Sequence, residues 1–79
     1  MKLLAVDVTR TYRLYAKDSG GFHVAVWDRE QDFITRFSLD ITGKLKHVKC
    51  ENLSQLNQDA IKWAQYTLST GKMDKTTLC

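Results

Sequence analysis

Two histidines and two cysteines are the residues of this sequence that could bind a metal ion. His47 and Cys50 are spaced as H-x-x-C, and His23 and Cys79 could complete a set of four ligands. Structural zinc sites usually present two closely spaced ligand pairs, whereas only one such pair exists here. We therefore expect no metal ion and no other cofactor, and we expect Cys50 to be a buried or half-buried thiol.

The candidate nucleophiles are Cys50, Ser19 and Ser54, with His23 or His47 as the base. None of them lies in a recognisable catalytic signature. Ser19 is better explained as a turn residue and Ser54 as a residue of the first turn of a helix. A chain of 79 residues also has little room for both a core and a closed pocket. We predict that the protein is not an enzyme.

The residues that favour binding alternate with a predicted core along two strands of a hairpin. The register assigned to the core holds Tyr12, Leu14, Phe22, Val24 and Val26. The opposite register would carry aromatic rings and cations on an outward face of the sheet. The candidate binding residues on this outward face are Arg13, Tyr15, Lys17, His23, Trp27, Ile34 and Arg36. Tryptophan, tyrosine and arginine are enriched at the centres of protein interfaces, so this composition predicts a binding surface.

The elements that position this face are predicted from periodicity. Alternation over residues 4–16 predicts a half-buried strand, with a bend near Arg10 as the place where it could be divided. Residues 22–28 resume the alternation after a turn at 18–21. The Gly20-Gly21 pair lacks the pattern of a phosphate-binding loop, so we assign it to this turn.

Residues 33–41 predict a third strand and residues 44–50 a fourth. If Val24 pairs with Phe37, then Trp27 lies opposite Ile34. The register of the fourth strand stays open. A two-residue turn at 42–43 buries Val48 and Cys50, whereas a loop one residue longer buries Leu45 and His47.

A helix follows, because apolar residues between Leu53 and Leu68 gather on one side at 3.6 residues per turn. Asn52 is expected to cap its start, with Gln55 in capping-box spacing, and Gly71 to cap its end. The fold class predicted is α+β: a four-stranded antiparallel meander packed on one face by a single C-terminal helix. Such a helix covers only one face of the sheet, so the other is left for solvent or a partner.

The distribution of charge favours a protein partner over nucleic acid. The 12 Lys and Arg residues exceed the 9 Asp and Glu residues by only three, and the signs are interspersed. Asp7, Asp28, Glu30 and Asp40 are expected on or beside the outward face, where they would repel phosphate. We therefore expect a small protein-binding module, acting as an interaction or inhibitory and regulatory protein, with a homodimer included among the partners. A nucleic-acid-binding domain that uses the same basic and aromatic face is the alternative.

Composition bounds the remaining properties. We expect one domain over residues 1–79, with a loose polar tail at about 73–79. The start of the chain is too short in apolar residues for a leader or a membrane span, so we expect no membrane association and a cytoplasmic location with reduced thiols. A hairpin-rich start followed by one helix is similar to small α/β proteins of phages and mobile elements, although no motif identifies one family.

Overall fold

Alternating apolar and polar residues build four consecutive strands in a computed structural model that describes residues 1–9 and 11–69. The strands are β1 (Lys2–Asp7), β2 (Tyr12–Ala16), β3 (Phe22–Asp28) and β4 (Phe33–Leu39), and each pairs antiparallel with the next in the order β1-β2-β3-β4. A 3₁₀ turn at Cys50–Asn52 leads to the helix α1 (Gln55–Leu68), which packs against β3. The predicted α+β meander with one helix is confirmed.

Residues 4–16 are divided between two strands, with the break between Asp7 and Tyr12, near the expected bend. The chain reverses before Thr11, which has a φ of +63°, and β1 then pairs with β2 as a hairpin. A β-bulge between Leu3 and Ala5 also shifts the phase of β1 against β2. The simple period of two therefore fails here, and Val6 and Val8 are exposed.

The predicted strand at residues 44–50 is wrong. Only Leu45 forms a bridge, to Leu39, and Lys46 N donates to Ser38 O at 3.0 Å. His47 then takes a φ of +69°, which ends any extended conformation. Leu45 packs partly buried against the core, whereas Val48 is exposed, so neither predicted register describes this segment fully.

The core lies between the sheet and α1. Its buried residues are Tyr12, Leu14, Val24, Val26, Phe37, Leu39, Ala60, Ile61 and Ala64. The ring of Tyr12 also contacts that of Trp63, with centroids 5.5 Å apart. This confirms the core register assigned to β2 and β3 and the apolar side predicted for the helix.

The helix begins later than expected. Ser54 is the N-cap, because its Oγ accepts a hydrogen bond from Asn57 N at 3.3 Å. Asn52 instead ends the 3₁₀ turn, so its predicted capping role is wrong. The predictions for Arg10, for the cap at Gly71 and for the tail at 73–79 lie outside the described residues.

Candidate binding face of the sheet

The face of the sheet opposite α1 brings the predicted binding residues together. Residues directly opposite in an antiparallel pair point to the same side. Tyr15 lies opposite His23 and Trp27 opposite Ile34, while Arg13 and Arg36 flank the same residue, Ala25, from the two neighbouring strands. The predicted cross-strand register of β3 and β4 is thus confirmed.

Lys17 joins this face from the end of β2. Its Nζ donates to Ser38 Oγ on β4 at 3.3 Å, so the side chain crosses over the end of β3. The turn that allows this is closed by a hydrogen bond from Lys17 N to Gly21 O at 3.1 Å.

The face also includes two apolar side chains of β1 that the sequence pattern missed. Leu3 lies opposite Tyr15 and Val6 opposite Arg13, so both share the outward side. Their exposed fractions are 50% and 44%, close to the 41% of Trp27 and the 53% of Ile34. Alternation could not have placed both on one side, because Leu3 and Val6 are three residues apart and share a face only through the bulge between Leu3 and Ala5. We call the whole set the outward face: the predicted binding residues together with Leu3, Val6 and Ala25.

The side chain of Trp27 is held in place by its neighbours. Its Nε1 donates to Asp32 Oδ1 at 3.2 Å, and the Arg29 guanidinium carbon lies 5.7 Å from its ring centroid. On the backbone, Trp27 N donates to Thr11 O at 3.1 Å, and Thr11 Oγ1 donates back to Trp27 O at 2.7 Å. A side chain held in this way loses little conformational entropy when a partner covers it.

His23 lies beside the cations of the same face. Its ring contacts that of Tyr15, with centroids 5.8 Å apart. Burial lowers the pKa of His23, and the positive charges of Arg36 and Lys17 lower that pKa further. Its Nε2 is buried and has no hydrogen-bond partner among the described residues. Because the neutral ring is favoured, His23 adds shape and aromatic surface at neutral pH rather than charge.

The carboxylates expected on this face lie elsewhere. Asp7 pairs with Tyr12 and Asp28 with Phe33, which places both on the side of the sheet that faces the core. Asp28 Oδ1 accepts hydrogen bonds from the backbone of the β3–β4 loop, where Glu30 lies. Asp40 follows β4 rather than lying on it. The expectation is therefore wrong for Asp7 and Asp28, whereas Glu30 and Asp40 lie in loops next to the strands of this face.

The Asp40 carboxylate organises the turn after β4 instead. Its Oδ1 accepts hydrogen bonds from Thr42 N at 2.8 Å and Lys44 N at 3.0 Å, and also from the Thr42 hydroxyl. These hydrogen bonds lower the pKa of Asp40, and the bond from the Thr42 hydroxyl has the largest effect. This carboxylate is thus engaged within its own loop.

The outward face is consequently positive. Arg13 and Arg36 are exposed, and within residues 1–9 and 11–69 neither forms a salt bridge with a carboxylate. Asp32 brings one negative group to the rim, where it is bonded to Trp27. The face therefore combines an apolar centre with arginines that lack an acidic partner within the described chain.

Within the described part of the chain, the residues considered for metal binding or catalysis are not gathered into a site. The described residues contain no group of three or more His, Cys, Asp or Glu side chains placed to hold a metal ion. Cys50 is disulfide-bonded, so the expected reduced thiol is wrong and its sulfur is not available as a thiolate. His47 is exposed, Ser54 caps α1, and Cys79 lies outside the described residues.

No helix among the described residues has the length and apolar character needed to cross a membrane. Comparison with known proteins found no matching family model, curated protein or solved structure.

Proposed function

We propose that this protein is a non-enzymatic binding module whose outward face receives a protein partner. The observation that carries the proposal is that this side of the sheet, left uncovered by α1, combines half-exposed apolar side chains with arginines that form no salt bridge with a carboxylate of residues 1–9 and 11–69. Trp27, Ile34 and Leu3 would supply the apolar contact. An aromatic and apolar centre with arginine at its rim is the arrangement common in protein interfaces.

The charge of the face specifies the partner further. Carboxylates of a partner would complement the positive charges of Arg13, Lys17 and Arg36. Such charge complementarity directs association and disfavours wrong partners. We therefore propose a partner surface with an apolar centre and acidic residues around it.

Single-stranded nucleic acid is the second candidate, because the strand positions of this face carry cations and no carboxylate. Base stacking needs open ring faces, however, and the rings here are already engaged. Arg29 lies against Trp27, and Tyr15 contacts His23. The Asp32 carboxylate beside Trp27 would also repel a phosphate. These contacts favour a protein partner.

Affinity purification from the native cell, with matched variants, tests the proposal. Trp27→Ala removes the central ring, whereas Tyr66→Ala removes an even more exposed ring from α1 and serves as the control. We expect a partner protein that is retained by the wild type and by the control but lost with Trp27→Ala. Once that partner is isolated, its affinity should fall by about 2 kcal/mol or more in Trp27→Ala. Circular dichroism should show both variants folded. Equal retention by all three proteins would contradict the proposal.

Titration with labelled oligonucleotides at two salt concentrations tests the alternative. Nucleic-acid affinity falls with a log–log slope of roughly −0.7 per phosphate neutralised on a single strand, whereas apolar contact depends on salt far less. We expect weak binding that is lost near physiological salt. Sub-micromolar binding that persists there and falls in Arg13→Ala or Arg36→Ala would make nucleic acid the better assignment.

A further inference from the structure

The two edges of the sheet are not equivalent. Beyond β4, Asp40 N donates to Lys44 O at 2.9 Å and Lys46 N donates to Ser38 O at 3.0 Å, so the following loop covers part of that edge. β1 lies at the other edge, and no segment of residues 1–9 and 11–69 pairs with its outer side. An uncovered strand edge is able to pair with another strand.

The side chains of β1 are arranged in a sequence that complements itself. Leu3 and Val6 point to the outward side, because they lie opposite Tyr15 and Arg13. By the same pairing rule, Lys2 and Ala5 lie on the core side, as does Asp7. Leaving out the bulged Leu4, the strand is symmetric about Ala5. Lys2 and Asp7 occupy equivalent positions at its two ends, and Leu3 and Val6 occupy the positions next to Ala5.

We propose that β1 pairs antiparallel with β1 of a second copy, with the symmetry axis at Ala5. Leu3 then lies opposite Val6 of the second copy on the outward side. Lys2 lies opposite Asp7 of the second copy on the core side. The bulge at Leu4 repeats symmetrically on each side of the axis, so the side chains on both sides of it stay in phase.

Charge selects this register over its neighbours. If the axis lay at Leu3 or at Val6, the side chains would still match by face, but Lys2 would no longer oppose Asp7. Lysine and a bulge on an edge strand usually discourage pairing, yet here the lysine meets an aspartate and the two bulges lie symmetrically on either side of the axis. Opposite charges across strands favour pairing, and like charges oppose it.

The assembly would join the two sheets into one and would cover the half-exposed Leu3 and Val6 side chains. It would also place two outward faces side by side, so that one partner could contact both. This pairing does not depend on which partner the outward face binds, but it shares Leu3 and Val6 with that face.

Sedimentation equilibrium of charge variants tests the proposal. The wild type should approach twice the chain mass of 9.1 kDa at high concentration. Lys2→Glu places glutamate opposite Asp7 of the second copy, and Asp7→Lys places lysine opposite Lys2. Each occurs twice in the dimer, so we expect either variant to raise the dissociation constant roughly tenfold or more. The double variant Lys2→Glu/Asp7→Lys should return to near the wild-type value.

Lys62→Glu is the control, because it makes the same charge change as Lys2→Glu at an exposed position of α1. Asp7 accepts a hydrogen bond from Thr9 at 3.0 Å, so thermal unfolding should accompany each measurement. If Asp7→Lys fails to fold, Lys2→Glu still decides the matter. Nuclear Overhauser contacts between the Leu3 methyls of a labelled copy and the Val6 methyls of an unlabelled copy would establish the register directly.

Three results would overturn the proposal. One is a wild type that stays monomeric at about 1 mM, where association of about 4 kcal/mol would show. Another is a folded Lys2→Glu variant that dimerises as well as the wild type or that behaves like Lys62→Glu. The third is a dimer that forms without the contact between Leu3 and Val6.

Discussion

Replacement of Gly21 by alanine tests the turn that places Lys17 and His23 on the outward face. Gly21 has a φ of +83°, and a Cβ built on it would lie 2.5 Å from Leu39 O. That oxygen belongs to the backbone of β4, and Leu39 pairs with Phe22, the residue after the glycine. The contact can be relieved only by moving β4 away from β3.

The expected loss of stability follows from three terms. A left-handed conformation costs an L-residue about 1–2 kcal/mol, and overpacking against atoms that cannot turn aside costs about 1–3 kcal/mol. Alanine also restricts the unfolded chain, which returns about 0.4–1 kcal/mol. We therefore expect Gly21→Ala to lower the free energy of unfolding by about 1–5 kcal/mol, a substantial share of the roughly 5–15 kcal/mol of a typical domain.

The neighbouring glycine supplies the matched control. Gly20 has a φ of +100°, but its nearest atom to a built Cβ is Ile41 Cγ2 at 3.8 Å, an ordinary contact. Gly20→Ala should therefore cost only the conformational term, about 1 kcal/mol after the gain from the unfolded chain. Urea unfolding followed by circular dichroism measures both variants. Equal losses would show that the close approach to Leu39 does not matter and would refute the reasoning.

Three other side chains carry predictions that the same unfolding measurements can check. Gln65 Nε2 donates to Gly43 O at 2.7 Å inside the fold, so Gln65→Met should cost about 1–3 kcal/mol by leaving that carbonyl unpaired; a neutral result would show that the bond contributes little. The pKa of His23 is lowered in the folded protein, so the unfolded chain binds a proton at this histidine more readily. The free energy of unfolding should therefore fall as pH decreases from 6.5, the ordinary pKa, through the folded pKa. His23→Gln should reduce this dependence on pH. The pKa of Asp40 is also lowered in the folded protein, so the stabilisation by its carboxylate should be complete above the ordinary pKa of aspartate and be lost as pH falls through the folded pKa. If Asp40→Asn loses stability with acid in the same way as the wild type, this reasoning is contradicted.

The sequence alone determined the three strands of the sheet that carry most of the outward face. β2, β3 and β4 each keep an unbroken period of two, and short turns join them. Under those conditions one core assignment determines both the faces and the cross-strand pairs, which is why Trp27 could be placed opposite Ile34. The helix was predictable for a similar reason, because its apolar side repeats at 3.6 residues, with Gln65 as a polar exception.

Only the tertiary structure decided the faces of β1 and of the acids. Alternation is informative within a strand, but a bulge adds one residue and reverses the phase, and pairing with β2 determines which side each residue then takes. Leu3 and Val6 therefore lie on the outward face, whereas Asp7, which was expected there, lies on the core side. The segment after β4 failed as a strand because the Asp40 carboxylate binds the backbone of its own turn, and His47 adopts a positive φ shortly afterwards. Contacts of this kind depend on which groups meet in three dimensions, and local periodicity carries no record of them.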